Sequence, residues 1–138
     1  MSVSAEVALT DVAVAVIMKP DGSFLMAQRP AGKPYAGYWE FPGGKVEADE
    51  DPKAALAREL HEELAIRAKI EEEIVRYEYQ YPGRPPMLLM FFRVTEWTPE
   101  PENVIFESMI WETATRFRNY DFLDGDIDFV RRLARGEY

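Results

Sequence analysis

The sequence contains no cysteine, a single histidine and no apolar run long enough to cross a bilayer. Without cysteine, neither disulfide bonds nor thiolate metal sites can form. The longest apolar run, residues 12–18, is far shorter than the roughly 20 residues that a membrane-spanning helix needs. The N-terminal residues show no basic segment followed by an apolar one, so no secretory signal is predicted. These absences predict a soluble protein of the cytoplasm.

Positive charge is also scarce, because 16 Lys and Arg stand against 25 Asp and Glu, giving a formal net charge of −9. This balance predicts no binding to nucleic acid or to an anionic membrane. It leaves room for an anionic small substrate, since bound divalent cations can reverse the local sign of charge. A chain of 138 residues that is 47% hydrophobic predicts a single domain spanning residues 1–138, as a monomer or a homodimer.

Hydrophobic periodicity and turn residues predict strands separated by two main helices. Strands are predicted at residues 5–18 and 23–28, joined as a hairpin, and a short extended piece at 39–41. Asp51 followed by Pro52 predicts the start of a helix that runs to about residue 64. The order favours an α/β sandwich with a mixed sheet over a doubly wound parallel sheet. Further strands are predicted at 68–81, 87–96 and 104–111, a short helix at 112–118 and a final helix at 126–135.

Three glutamates, Glu59, Glu62 and Glu63, share the first of these helices although like charges at this spacing repel one another. At about 100° per residue they cover about a third of the circumference, beside the apolar stripe of leucines 56, 60 and 64. Carboxylates at the edge of a buried face, with no soft ligand nearby, suit Mg²⁺ or Mn²⁺. Arg58 lies where it can brace them. The alternative is an ordinary acidic helix face in water.

The spacing of these residues carries a family resemblance. Gly44, five residues, Glu50, seven residues and then RELHEELAI at residues 58–66 resembles the Nudix box, G-x5-E-x7-R-E-U-x-E-E-x-G-U, where U is aliphatic. The one departure is Ala65, where the family has glycine. The preceding WEFPGGK is similar to the MutT-like branch of Nudix hydrolases, which acts on nucleoside triphosphates. The resemblance implies an α+β protein with the Nudix-type α/β/α sandwich and a mixed β-sheet.

The resemblance further implies metal-dependent hydrolysis of a nucleoside triphosphate, natural or oxidised like 8-oxo-dGTP, to the monophosphate and pyrophosphate. Hydrolysis of ADP-ribose or of another nucleoside diphosphate derivative is the alternative, and a non-catalytic nucleotide-binding module is a further one. The implied cofactor is Mg²⁺ or Mn²⁺. The implied metal ligands are Glu59, Glu62, Glu63 and the Gly44 carbonyl, with one glutamate also acting as base, Arg58 orienting them and Glu50 supporting the loop.

An additional carboxylate outside the box often serves as ligand or base in this family. Glu102 is the preferred candidate here and Glu107 the alternative, since both come before the predicted strand that ends at residue 111. Both also fit an ordinary acidic loop.

Substrate contacts are expected from basic and aromatic residues around the box. Arg29 and Arg84 stand where MutT-like proteins place contacts to the phosphates, and Lys45 is expected to contact phosphate or to position the catalytic loop. Phe41 is the preferred ring for stacking on the base. Tyr35, Tyr38 and Trp39 are further candidates, and each aromatic side chain fits the core equally well.

The resemblance implies that Asp126 reads the base, because it matches the position where the oxidised-guanine enzyme of this family has a base-reading Asn. An ionised aspartate only accepts hydrogen bonds, so it would favour a base edge that presents N–H groups, as in cytosine or guanine. A protonated aspartate would change that assignment, and the residue also fits the N-cap of the last helix. The sequence leaves the base open.

Overall fold

The computed structural model describes residues 9–138, so the predicted strand residues 5–8 lie outside the described part. Within that part the chain forms nine strands, two α-helices and two 3₁₀ segments, Ala114–Asn119 and Asp124–Asp126. The helices are α1 (Pro52–Leu64) and α2 (Ile127–Ala134), and the strands are β1 (Thr10–Ile17), β2 (Ser23–Gln28), β3 (Trp39–Glu40), β4 (Gly43–Lys45), β5 (Arg67–Lys69), β6 (Glu73–Tyr79), β7 (Met87–Val94), β8 (Glu96–Thr98) and β9 (Ser108–Thr113).

A four-stranded sheet in the order β4-β1-β7-β6 forms the centre of the fold. Strands β1 and β7 run parallel, whereas the other neighbours are antiparallel, so the sheet is mixed as predicted. Successive side chains of a strand point to opposite faces. Thus Ala15 and Ile17 join the cluster that contains the α1 leucines, while Val14 and Val16 join the cluster of α2. Helices therefore cover both faces, and the predicted α/β/α sandwich is confirmed.

The predicted hairpin of the first two strands is wrong. Strand β2 has the predicted bounds, but it belongs to a second sheet of order β3-β2-β9. It pairs along its whole length with β9, and only an isolated bridge between Met18 and Phe24 links it to the end of β1. The turn after β1 therefore carries the chain from one sheet to the other.

The predicted strand over residues 68–81 is in fact two strands with different partners. Strand β5 pairs with β8, whereas β6 pairs with β7 after a register irregularity between Glu73 and Val75. The segment that pairs with it is also interrupted, at Thr95 between β7 and β8. The Glu71 carboxylate accepts hydrogen bonds from the Thr95 N–H and hydroxyl, both at 2.7 Å, and so holds the two breaks together.

Four further elements differ from the prediction. Residues 43–45 form strand β4, because Gly43 lacks the Cβ that would lie 2.2 Å from the Ala13 carbonyl oxygen of β1. Strand β9 begins at Ser108 instead of residue 104, since the Asn103 side chain first closes a turn with Phe106. The predicted helix over 112–118 is the end of β9 followed by a 3₁₀ segment, and α2 begins one residue late.

Helix α1 begins and ends as its sequence predicts. The Asp51 carboxylate caps it by accepting from the N–H groups of Lys53 and Ala54 at 3.0 and 3.3 Å, and Pro52 is its first residue. The leucines at 56, 60 and 64 are fully buried. The helix ends at Ala65 in the left-handed conformation, with φ 55° and ψ 36°. No helix of the described residues is both long and apolar enough for a membrane span.

Ala65→Gly is expected to stabilise the protein by about 1 kcal/mol, because a left-handed backbone strains every residue that carries a Cβ. Urea unfolding measures this change in free energy. Ala134→Gly is the matched control: this exposed residue ends α2 in right-handed helix, so glycine there is expected to destabilise by up to about 1 kcal/mol. Equal effects of both substitutions would contradict the strain at Ala65.

Candidate active site

Glu63 is the buried member of the acidic cluster on α1. Only 7% of the residue is exposed, and its Oε1 accepts a hydrogen bond from the Gly43 N–H at 3.3 Å. Burial raises the pKa of Glu63 strongly, and the neighbouring Glu59 carboxylate raises it further. Because burial and the neighbouring carboxylate disfavour the charged form, a cation at this point would offset both effects.

Glu59 lies directly against the backbone of Gly44. A Cβ at position 44 would be 2.5 Å from Glu59 Cδ and from Oε2, so only glycine leaves room for this carboxylate. Strand β4 thus brings Gly43 to Glu63 and Gly44 to Glu59. Pairing of β4 with β1 fixes both glycines in the central sheet.

Arg58 connects the acidic helix to the loop before it. Its Nη1 donates to Glu59 at 2.9 Å and to Glu62 at 3.4 Å, and its Nη2 donates to the Lys45 carbonyl at 3.3 Å. Two further hydrogen bonds, at 2.9 and 3.0 Å, reach Glu50. These hydrogen bonds lower the pKa of Glu50 to about 2, and Glu50 also accepts from the Glu47 N–H. The predicted brace by Arg58 and the loop support by Glu50 both correspond to contacts in the structure.

The donor chemistry of this cluster suits a divalent cation. Carboxylate and carbonyl oxygens are the ligands that Mg²⁺ and Mn²⁺ prefer. As the side chains stand, however, Glu59 and Glu62 face Arg58, and Glu62 is about half exposed. Accordingly, across residues 9–138 no three acidic or histidine side chains converge on one point. The residue types and their closeness suit a divalent cation. In this structure, however, Arg58 pairs with Glu59 and Glu62.

A cavity of about 220 Å³ opens beside β4. Four charged residues that were predicted to contact the substrate, Arg29, Lys45, Arg84 and Asp126, line it together with Gly44. A larger cavity of about 760 Å³ lies between the 3₁₀ segment Ala114–Asn119 and α2, and of the residues considered for the site only Tyr38 lines it. The smaller cavity is the better candidate because the acidic cluster contacts the strand that lines it. Its remaining lining includes Tyr35, Glu40, Phe41, Gly43 and Tyr81.

The basic residues of this cavity differ in how free they are. Arg29 is engaged: its Nη1 donates to both carboxylate oxygens of Glu40 at 3.2 Å, and its Nε to the Pro34 carbonyl at 2.7 Å. Arg84 is exposed, with its guanidinium 5.9 Å from the centre of the Tyr35 ring, and Lys45 is exposed as well. Lys45 and Arg84 are therefore the cationic side chains available to a phosphate.

Phe41 lies in the core. Its ring is 3% exposed and packs at 5.6–6.0 Å against Phe117, Phe122 and Phe129. A ring held this way presents little surface for stacking on a base, so its core role outweighs the predicted stacking. Among the other aromatic candidates, Tyr35 lines the cavity.

Asp126 precedes α2 but does not cap it, since its side chain makes no capping hydrogen bond. The residue is 6% exposed and lines the cavity instead. Burial raises the pKa of Asp126 to about 8, and the charge of Glu40 adds to the effect. The raised pKa favours the protonated carboxyl group, which both donates and accepts hydrogen bonds.

Neither candidate for the additional carboxylate reaches the cavity in this structure. Glu102 is exposed, and its N–H donates to the Leu64 carbonyl at 2.9 Å, which places it at the C-terminal end of α1. Glu107 is exposed too, and its N–H donates to the Gln28 carbonyl. The backbone position beside α1 favours Glu102, whose role stays a prediction.

Sequence reasoning missed Glu40 and Tyr81, which both line the cavity. Glu40 is partly buried beside Arg29, and burial raises its pKa. Glu40 lies two residues before the PGG run, but a single glutamate in a strand gives no signal of function. Tyr81 follows β6 by two residues, and only the fold brings it to Asp126.

The sequence profile described as NUDIX domain matches residues 8–132. With that match over most of its length, and with the box residues gathered around β4, the chain belongs to the NUDIX domain family. Within the family it is a MutT-like Nudix hydrolase, as its relatives indicate.

Three similar proteins illustrate this placement. The CTP pyrophosphohydrolase of Escherichia coli K12 is 51% identical over 71 residues, which is 51% of this chain and about half (53%) of that protein. The 8-oxo-dGTP diphosphatase of the same organism is 30% identical over 90% of this chain and 95% of its own length. The crystal structure of a MutT protein from Methanosarcina mazei Go1 superposes with a TM-score of 0.84 at 23% identity, covering 97% of this chain and 99% of that one, which shows the shared fold.

Proposed function

We propose that this protein hydrolyses nucleoside triphosphates to the monophosphate and pyrophosphate with the help of Mg²⁺, or Mn²⁺ in its place. One observation carries the proposal: a single cavity is lined both by Gly44 and Lys45, beside the acidic cluster, and by the buried Asp126. A triphosphate chain needs cations, whereas a base needs hydrogen-bonding groups in a partly apolar site. We further propose that residues 1–138 form one cytoplasmic Nudix domain acting on free nucleotides.

Glu59, Glu62, Glu63 and the Gly44 carbonyl would hold the metal. When bound, the cation supplies neutralisation of phosphate charge and activation of water. Arg58 holds Glu59, which lies next to Gly44, and Glu62 by hydrogen bonds before the metal arrives. Water substitutes at phosphorus, its proton passes to a carboxylate of the cluster, and pyrophosphate leaves.

Lys45 and Arg84 are proposed as the phosphate contacts because both are exposed at the cavity. Arg29 would act mainly through Glu40, to which it is already bonded. The two available cations sit in a chain of net charge −9. Their placement gives an anionic substrate a local attraction that the overall charge does not.

Asp126 is proposed to read the base in its protonated form. A neutral carboxyl group both donates and accepts a hydrogen bond, as an asparagine side chain does. This pattern suits a base edge that presents one acceptor and one donor. The names of the two Escherichia coli relatives, with CTP and 8-oxo-dGTP as substrates, keep a pyrimidine and an oxidised purine as the candidates to compare.

The test is to measure pyrophosphate and orthophosphate release, with Mg²⁺, across natural NTPs and dNTPs, 8-oxo-dGTP and ADP-ribose. Pyrophosphate with equimolar monophosphate is the expected result for at least one triphosphate. Orthophosphate would mean cleavage at the outer phosphate. AMP and ribose phosphate from ADP-ribose, with all triphosphates intact, would overturn the proposed substrate class.

Asp126→Asn is expected to keep the wild-type base preference at pH 7, since both side chains donate and accept. The wild-type carboxyl group loses its proton as the pH rises through about 8, so its preference should fall above that pH. The asparagine variant does not titrate and should keep its preference unchanged from pH 6.5 to 9.5. The ratio of kcat/KM between two bases measures this, because general pH effects on catalysis cancel in the ratio. A wild-type ratio that does not change with pH would contradict a protonated reader.

A further inference from the structure

Two tyrosine hydroxyls hold the backbone of Gly125, the residue before Asp126. The Gly125 N–H donates to Tyr81 Oη at 2.8 Å, and the Gly125 carbonyl accepts from Tyr77 Oη at 2.7 Å. Tyr77 lies on β6, 48 residues earlier in the sequence, and Tyr81 lies just after β6, 44 residues earlier. We propose that Tyr77 and Tyr81 are positioning residues that set the direction of the Asp126 carboxyl group and thereby the base discrimination. This inference rests on the proposed function.

The contact leaves no room for another residue at position 125. A Cβ there would be 2.9 Å from Tyr81 Oη, 3.3 Å from Tyr79 Cδ2 and 3.4 Å from a Leu89 methyl carbon. The φ angle of Gly125 is not in the positive range, so close approach rather than an unusual conformation requires the glycine. The turn at Gly125 therefore packs closely against the tyrosines, and both its N–H and its carbonyl group are hydrogen-bonded to them.

Asp126 depends on this turn for its direction. Its side chain makes no capping bond to α2, and its N–H bonds locally to the Leu123 carbonyl at 2.9 Å. The backbone conformation of the 3₁₀ segment Asp124–Asp126 therefore fixes the direction in which the Asp126 side chain leaves the turn, from where its carboxyl group reaches the backbone of Phe41. Fixing the Gly125 peptide groups on both sides restricts that conformation, and a buried hydrogen bond that loses one partner leaves the other unsatisfied.

Tyr81 also connects the turn to the cavity wall. The residue is 7% exposed, lines the cavity, and its ring centre lies 5.0 Å from that of Tyr35. Tyr35 in turn lies under Arg84, a proposed phosphate contact. The ring of Tyr81 therefore forms part of the cavity wall. Its hydroxyl group accepts from the Gly125 N–H and so links the position of that wall to the position of Asp126.

Tyr81→Phe separates the two roles because it keeps the ring and removes only the acceptor of the Gly125 N–H. The ratio of kcat/KM between the preferred base and a second base is expected to fall about tenfold. The change should appear in KM for the preferred base, with kcat within about twofold of wild type, since the reacting phosphates are untouched. Tyr79→Phe is the matched control: its ring packs on Tyr81 at 4.8 Å, and its hydroxyl has no hydrogen bond within residues 9–138.

A double-mutant cycle tests whether Tyr81 acts through Asp126. Asp126→Ala alone is expected to abolish base discrimination, and adding Tyr81→Phe should then lower it no further. Tyr77→Phe, which removes the donor to the Gly125 carbonyl, is expected to act in the same direction and serves if Tyr81→Phe does not fold. Independent, additive losses in the double variant would overturn the positioning role.

Calorimetric binding of nucleoside monophosphates, which involves no turnover, gives a second readout of the same discrimination. Wild-type protein that cleaves no triphosphate would refute the proposed function, yet the binding ratios would still decide the role of Tyr81. Wild-type discrimination in both tyrosine variants, or in Asp126→Ala, would overturn the inference. Equal losses in Tyr79→Phe and Tyr81→Phe would overturn it too, because ring packing would then explain them.

Discussion

Glu63→Gln is expected to lower kcat for metal-dependent hydrolysis about a thousandfold while the protein folds normally. The amide keeps the shape of the side chain and an oxygen that accepts from the Gly43 N–H. It removes the negative charge that a cation needs. Since burial already disfavours that charge, the free energy of unfolding should stay equal or rise. Steady-state kinetics over a Mg²⁺ series and urea unfolding measure the two effects.

Glu62→Gln is expected to lose turnover to a similar degree. His61→Gln is the matched control, because this exposed residue directly precedes Glu62 on the same helix and should keep wild-type kcat. Chelation of divalent ions should stop wild-type turnover, and added Mg²⁺ should restore it. Wild-type kcat in Glu63→Gln would refute the assignment of the acidic cluster as the catalytic site.

The adjacent glycines of β4 are expected to give opposite phenotypes when each is changed to alanine. In Gly44→Ala the new Cβ would meet the Glu59 carboxylate at 2.5 Å, which is the mobile end of a side chain. Glu59 can swing away, so we expect less than about 1 kcal/mol lost stability but about a hundredfold lower kcat/KM. In Gly43→Ala the Cβ would lie 2.2 Å from the Ala13 carbonyl oxygen, which is backbone of the central strand. There we expect a loss of about 3 kcal/mol or more.

Urea unfolding and kcat/KM of both variants distinguish these outcomes. Gly22→Ala is the control, since Gly22 has φ 88° but no atom within 4 Å of an added Cβ. It should cost about 1 kcal/mol through backbone strain alone and leave catalysis unchanged. Full activity in Gly44→Ala would show that catalysis does not need the space that glycine leaves for the Glu59 carboxylate.

The arrangement of the acidic residues along α1 follows from the sequence because these residues are local. A helix places Glu59 and Glu63 one turn apart by its own geometry, and Arg58 reaches both the helix and the loop of Glu50. The cap at Asp51 and the buried leucines likewise follow from short-range rules. The break within residues 68–81 did not, because it depends on which partner each half of the segment finds.

The residues at the proposed base-reading end of the cavity depend even more on long-range contacts that the sequence does not show. From sequence, Asp126 fitted a helix cap and an ionised reader equally, and Phe41 fitted both a stacking ring and the core. The fold buries Asp126 beside Glu40 and raises its pKa, and it surrounds Phe41 with three aromatic rings. Neither environment involves near neighbours in the chain, so no local pattern contains it.

By itself, therefore, the sequence determined the chemistry: an acidic helix that starts, ends and faces the core by local rules, in a spacing that resembles one enzyme family. Only the tertiary structure decided which groups lie next to the acidic helix and next to Asp126. It brought Gly44 against Glu59 by strand pairing, and Tyr81 against the turn of Asp126 across 44 residues of sequence. Helical spacing is set by bonds between near residues, whereas burial, pKa and cavity shape arise from contacts that exist only after the chain has folded.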